Sequence, residues 1–475
     1  MADPEPLSTS RRSDARANGT RIVETAADVL ARRPHASTGE IARAAGVGRS
    51  TLYRHFETRE ALVAAVRRLA REQADADEQQ SLRPAGELAN TLATPLSVPE
   101  VLNKVAPYDV AQQIVAEAQR LDGVESAALY LADLAGVVLR RLAGASAFPL
   151  AIDISGSIGT ELPREAYPRV AQDVAGAVPG AVVTPLALRG RAVGVLVVVG
   201  AGNDLLHDLA REAAAALALA DDYTDHMQTV RRSRATSAAA EIQQNLLPPR
   251  IHRLNGATLA GNVLPGYDIG GDWFDVADNA DAVWLGVADV TGSGPRAAGV
   301  AAVLLGAFRS GRHQGEGPAG VVAQMHEILG AVAGADTSAT TTIGSWNPTT
   351  SVFRWVCCGA HGPVVARADG ELEILDAAPA PALGTLPPDV AAQLPVRARR
   401  LLPGERLVLL SDGGYDSLDV GGAVFGMDGL HAALTTSAGA SAAATVHAIE
   451  HAICARVADH LEDDVTLVVL APHTA

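Results

Sequence analysis

The 475-residue sequence predicts a multidomain protein: an all-α helix-turn-helix head, an α+β middle domain, a long connector helix, and a C-terminal domain of apolar strands and small-residue helices. Three observations carry this prediction. Arginine is concentrated near the start of the chain, apolar strand-like runs recur in the middle and in the last part, and 44 residues between them (204–247) hold neither glycine nor proline. The length alone exceeds one ordinary domain. A composition of 48% hydrophobic and 19% charged residues is that of a globular chain, not a disordered one.

No uncharged apolar run of about 18 residues and no signal-peptide pattern is present, so the expectation is a soluble cytoplasmic protein with no membrane partner. Cys357, Cys358 and Cys454 have neither metal-ligand spacing nor the look of a disulfide framework. The net charge of −16 is uneven: residues 11–71 carry thirteen arginines against six acids, leaving −23 on the remainder. A basic head on an acidic body points to a small nucleic-acid-facing module joined to something else.

The head spans residues 1–75. In "STGEIARAAGVGRSTLYRHFETREALVAAV" (37–66), Ser37 and Glu40 form a capping-box start, Ile41 and Ala45 keep helical spacing, and Gly46 ends the helix. A second helix runs from about Arg49 to His55, with Val47, Leu52 and Phe56 facing inward, and Thr58 can cap a third. Helix, glycine turn, helix is the plan whose second helix enters the major groove. These residues resemble the TetR-type DNA-binding head, with "AAGVGRSTLYRHF" carrying the likeness and "RIVETAADVLARR" fitting that family's first helix. The resemblance implies that Arg49, Thr51 and Tyr53 face the groove and that Thr38, His55 and Arg59 hold phosphates. Arg59 stands where the family usually has lysine. The family's helical ligand-binding body is absent, so dimerisation must come from elsewhere.

Residues 76–98 read as a linker and 99–203 as the α+β domain. A helical stretch ("YDVAQQIVAEAQRL") precedes a strand ("ESAALYLAD"); later "AVVTPLAL" and "AVGVLVVVG" form a hairpin about Arg189–Gly190–Arg191. The arrangement resembles a GAF domain, and a GAF-like sensor is expected, with no haem or bilin ligand indicated by its residues. Residues 204–249 read as one connector helix, roughly 65 Å long if unbroken, ended by the prolines of "EIQQNLLPP". Helices of that length are usually stabilised by pairing, so a homodimer is expected.

In residues 250–475 four carboxylates occupy the ends of otherwise core-like strands. They are Asp272 in "YDIGGDWFDV", Asp289 in "WLGVADVTGSG", Asp412 in "RLVLLSDGGYD", and Asp463 in "EDDVTLVVLA". One such acid is readily a cap or a turn former. Four brought together would repel each other unless cations neutralise them. Oxygen donors without a Cys or His cluster select Mg²⁺ or Mn²⁺, and two such ions activate water for in-line attack on phosphorus.

From about Glu241 to Leu470 these motifs, with "LLPP", "ATTTIGSWNPTT", "CGAHGP" and "PALGTLP", resemble the SpoIIE-type branch of the metal-dependent protein phosphatases (the PPM, or protein phosphatase 2C, superfamily). The resemblance implies an αββα-sandwich phosphatase domain with two Mn²⁺ or Mg²⁺ ions. Asp272, Asp289, Asp412 and Asp463 would be the metal ligands, with Asp289 bridging and the Val290 carbonyl adding an oxygen. Asp275 and Asp464 lie on opposite strand faces from their neighbours Asp272 and Asp463, and are read as supporting residues. Ser293 stands where the branch usually has histidine, and "GAHGP" replaces the commoner Ala-Gly-His-x-Pro order; His361 is read as a turn residue that could also assist substrate binding. The "GGDWF" run also looks like the GGDEF signature of diguanylate cyclases. That reading lacks the second acid, Trp273 standing in its place, and leaves Asp289, Asp412 and Asp463 unexplained.

The implied substrate is a phosphoserine or phosphothreonine protein acting in trans, such as an anti-sigma-factor antagonist. The alternative is a DNA-binding transcription regulator whose phosphatase-like domain is a sensor or inactive.

Overall fold

The structure is a computed structural model. It describes residues 102–200, 204–264, 270–457 apart from 335, 360, 377 and 392, then 461–473, and scattered positions between 22 and 66. The chain divides into two compact units, 1–95 and 96–475. The predicted linker 76–98 lies outside the described residues.

In the first unit, helix α1 (Thr38–Ala44) carries Glu40 in its first turn. Gly46, at φ +66°, turns the chain just after it, a backbone conformation that favours glycine. Ile22, Ile41, Ala42, Leu52 and Leu62 are buried together, with Val47 and Phe56 packed against them. Thr38 and Thr51 are described; Arg49, Tyr53, His55 and Arg59 lie outside the described residues.

The second unit opens with α2 (Val110–Gln119). Strands β1 (Val124–Ala132), β2 (Val138–Gly144) and β3 (Ala151–Asp153) follow, then β4 (Leu162–Pro163), α3 (Tyr167–Ala177), β5 (Ala181–Leu188) and β6 (Arg191–Gly200). They form one antiparallel sheet ordered β3-β2-β1-β6-β4, with β5 also on β6. The β5–β6 hairpin turns on Arg189 and Gly190, both at positive φ, a two-residue turn whose twist suits a hairpin.

The long connector is corrected by the structure. Residues 204–247 are not one helix but α4 (Asp204–Ala220), a single 3-10 turn (Asp221–Tyr223), α5 (His226–Arg231) and α6 (Ala238–Leu246). The reason is burial. Leu206, Leu209, Ala213 and Leu217 of α4 pack into the core over the β1–β6 sheet together with Met227 of α5. Arg231 then closes the bend by an ion pair to Asp221 at 2.5 Å. The apolar face expected to pair between chains is used within this one. Only the end matches the sequence pattern: α6 stops at Leu246, before Pro248 and Pro249.

Beyond it come β7 (Ile251–Leu254), β8 (Ala257–Leu264), β9 (Trp273–Asp278) and β10 (Val283–Val290), then α7 (Gly294–His313) and α8 (Pro318–Val332). Strands β11 (Ala339–Asn347), β12 (Val352–Cys358), β13 (Val364–Ala366), β14 (Leu372–Ile374), β15 (Arg397–Arg400) and β16 (Arg406–Leu410) follow. The chain ends through α9 (Asp412–Tyr415), α10 (Gly426–Thr436), α11 (Ala442–Cys454) and β17 (Val465–Pro472). Two sheets result, β15-β12-β11-β10-β9 and β14-β13-β16-β17-β8-β7.

Their facing side chains, among them Phe274, Leu285, Phe353, Leu409 and Val468, form the central core. Helices α7 and α8 cover the outer face of the first sheet, and α10 and α11 that of the second. This is an αββα sandwich in which alternate residues of each strand feed different cores.

Candidate active site

Sheet register brings the strand-end acids together. In the β9–β10 pair Trp273 lies opposite Ala288, which sets Asp272 beside Asp289. In the other sheet Leu410 lies opposite Leu467 and the Ser411 amide donates to the Thr466 carbonyl (2.9 Å), which places Asp412 next to Asp463. The sheets are joined at this edge: the Thr466 hydroxyl donates to Asp272 Oδ2 at 2.6 Å. Asp272 is 2% exposed. The glycines of "GGDW" are there because the backbone is crowded. A Cβ on Gly271 would stand 3.1 Å from the Val290 carbonyl oxygen, and one on Gly270 would stand 3.0 Å from the Ala239 Cβ of α6.

The aromatics beside the acid split between two cores. Phe274 points between the sheets; Trp273 points under α7, its ring 5.5 Å from that of Phe308. Asp275 also faces α7, bonded to Arg309 at 3.0 Å and Arg312 at 2.8 Å.

The four aspartates form a row. The Asp289 side chain reaches Asp272 on one side and Asp412 on the other, and Asp412 adjoins Asp463. Burial, followed by the repulsion of Asp289, lifts Asp272 well above the carboxylate range; burial and the Asp412 side chain push Asp289 to about 8. Burial also raises Asp463, and takes Asp464 to about 7. Carboxylates that hold protons at neutral pH are carboxylates short of positive charge.

Among the described residues no three His, Cys, Asp or Glu side chains close on one point tightly enough to hold a single ion by themselves. A row of acids instead spreads its oxygens over neighbouring positions, which suits two ions sharing a central carboxylate, with water completing each shell. Among the described residues the buried oxygens Asp272 Oδ1 and Asp412 Oδ1 have no hydrogen-bond partner. The donor set, all oxygen and with these two atoms open, fits Mg²⁺ or Mn²⁺.

Sequence reasoning missed Gln243. From α6 its side-chain amide donates to the Asp272 carbonyl (3.1 Å) and to Asp464 Oδ2 (2.7 Å). It sits in "EIQQNLLPP", where only the prolines drew notice; a polar residue on the face of a helix that packs on a Gly-Gly turn was the available signal.

Two cavities open beside the row. One, about 680 Å³, is lined by Asp412, Asp416, Ser417, Glu462 and Asp463. The other, about 460 Å³, is lined by Gly359, His361, Asp376 and Asp412. The His361 ring lies 4.2 Å from that of Tyr415. Val290 is buried at the end of β10, with its carbonyl turned toward Gly271. No helix among the described residues is long and apolar enough to cross a membrane.

Comparison with known proteins adds two family matches. Residues 279–473 match the Stage II sporulation protein E (SpoIIE) family and residues 22–66 the bacterial regulatory proteins of the tetR family. The first match begins after Asp272.

Among solved structures, the chain is 24% identical to the RsbU and RsbW domains of a Mycobacterium tuberculosis protein (TM-score 0.41), covering 46% of this chain and 62% of that one. It thus spans less than two thirds of that protein's length. It is 12% identical to a Bacillus subtilis SpoIIE structure that comprises the PP2C phosphatase domain and a fragment of the regulatory domain (TM-score 0.39), covering 86% and 98%. It is 18% identical to the SiaA-PP2C domain of Pseudomonas aeruginosa (TM-score 0.43), covering 49% and 94%. The SpoIIE-family match thus falls on the sandwich and the tetR-family match on the head.

Proposed function

We propose that residues 250–475 dephosphorylate phosphoserine or phosphothreonine on a regulatory protein supplied in trans, such as an anti-sigma-factor antagonist, using two Mn²⁺ or Mg²⁺ ions. The observation that carries this reading is the row Asp272–Asp289–Asp412–Asp463 with its partnerless buried oxygens. Asp289, central in the row, would be shared by both ions, and the Val290 carbonyl would add an oxygen. The ions would supply an activated water and offset the phosphate charge. The chain's own residues hold the frame: Thr466 and Gln243 fix Asp272, Asp464 anchors Gln243, and the Arg309–Asp275–Arg312 cluster ties β9 to α7. A phosphorylated side chain has room in the cavities that flank Asp412.

Residues 99–203 are read as a GAF-like sensor, 1–75 as a DNA-binding head reading through Arg49, Thr51 and Tyr53 with phosphates held by Thr38, His55 and Arg59, and the whole as a homodimer. Their signals would reach the acids through α6, whose Gln243 is already bonded to them. The test is phosphate release from phosphoserine and phosphothreonine peptides with Mn²⁺, Mg²⁺ or EDTA. Release that depends on metal supports the reading; none with any metal contradicts it.

The tetR-family match keeps one second reading in view, a transcription regulator with an idle phosphatase domain. A gel shift with Arg49→Ala and Tyr53→Ala measures the head separately; loss confined to specific sequences marks base readout.

A further inference from the structure

A third, polar cavity, about 300 Å³, lies where the β1–β6 domain, the bent connector and the start of the sandwich meet. Its wall carries Arg191, Arg231, Arg232 and Arg250 against Glu161, Asp221 and Asp222. Three of these cations already have partners. Arg191 pairs with Glu161 at 2.6 Å, Arg231 with Asp221, and Arg232 with Glu241 outside the cavity.

Arg250 has none. Only 7% exposed, its guanidinium donates to three neutral oxygens, Asn262 Oδ1 (3.0 Å), Thr160 Oγ1 (3.2 Å) and Gln244 Oε1 (2.6 Å). Two carboxylates face it without an ion pair: Glu161, shared with Arg191 and with the Ile251 amide, and Glu450, which is bonded to Asn262. Arg231, 8% exposed, also leaves its Nε without a partner among the described residues. A buried cation with no counter-ion to itself is costly, and here two more guanidiniums press on it from across the cavity. The opposite face of the sheet offers no such space: Tyr130, Phe148, Ile152 and Val174 fill it beneath α3.

We infer that this cavity binds a small oxyanion, the phosphate or carboxylate group of a low-molecular-weight ligand, against Arg250, Arg231 and Arg191. Guanidinium is the side chain best shaped for such oxygens, and an anion here gives Arg250 a counter-charge that it does not share. The site also has a route to the acids. Gln244, which bonds Arg250, is next in sequence to Gln243, which bonds Asp272 and Asp464. An occupant would therefore brace α6 against the row; this last step rests on the phosphatase reading, whereas the binding itself does not.

The experiment is titration calorimetry of the full chain with inorganic phosphate and, separately, with acetate, in EDTA so that the row of acids holds no metal and repels anions. One-site saturable binding of either probe is expected, weakened about tenfold or more in Arg231→Lys and in Arg191→Gln, each checked for a cooperative melt. Phosphate or acetate as the tighter probe assigns the ligand class. Arg191, more exposed at 17% of its side chain, keeps the test open if the Arg231 variant does not fold. No saturation with either probe, or saturation unchanged in the folded variants, overturns the site. The result is read without turnover, so a failure of the phosphatase reading would leave it intact.

Discussion

Gln243 shows what a single side chain does in this molecule. It is 2% exposed and its amide serves two acceptors, the Asp272 carbonyl and the Asp464 carboxylate. Gln243→Ala removes this buried donor from both, a loss of about 1–3 kcal/mol. Partners that hold metal-binding side chains in place are worth roughly 10–100-fold in metal affinity. The variant is therefore expected to fold, to need that much more Mn²⁺ for half-maximal turnover, and to recover part of its rate at high metal; unchanged metal demand would show that Gln243 only packs.

At this scale the sequence was readable where chemistry leaves an odd residue. Asp272, Asp289, Asp412 and Asp463 stand out as acids at the ends of apolar strands, and the structure places them side by side. Gln243 and Thr466 did not stand out, because amides and hydroxyls are ordinary on helices and strands and only the packing aims them.

Among elements, α6 bears most on the site. Ser237 caps it, its hydroxyl accepting from the Ala240 amide at 3.1 Å, and Ala239 sits on Gly270. Ser237→Ala should cost about 1 kcal/mol of local stability. If α6 holds the acids, turnover falls in this variant well before the global melting transition moves, and hydrogen exchange rises first in 238–246. Equal shifts in both would mean that α6 has no special role.

The strands and hairpin turns were legible from alternation and from Arg189–Gly190. The connector was not. A run without glycine or proline satisfies helix propensity throughout, but propensity is silent about tertiary burial. The gain from packing α4 and α5 on the β1–β6 sheet bends the chain at Asp221–Tyr223 instead.

For the whole molecule, the αββα layers followed from strand-end acids and family likeness, whereas the joint between domains had no sequence signal, since its residues lie far apart in the chain. Arg250 reaches Thr160 and Asn262, the Ile251 amide donates to Glu161, and Asn262 in turn donates to Glu450 at 2.7 Å. Burial raises Glu450 from its ordinary 4.5 to about 7. A raised carboxyl favours the folded state while protonated, so its contribution is complete below pH 4.5 and is lost as pH rises through about 7. The shift corresponds to about 3 kcal/mol. Urea unfolding at pH 5 and pH 8 should show wild type losing up to that much more than Glu450→Gln; identical losses would place a charged Glu450 in the fold.

Four strand-end aspartates from two sheets would together hold a pair of divalent ions. The measurement that bears on it most directly is the stoichiometry of Mn²⁺ binding to the metal-stripped chain by titration calorimetry, beside Asp289→Ala. The account predicts two ions per wild-type chain, and loss of both tight sites, together with p-nitrophenyl phosphate turnover, in the variant. A single ion, or two ions still bound tightly without Asp289, would contradict it.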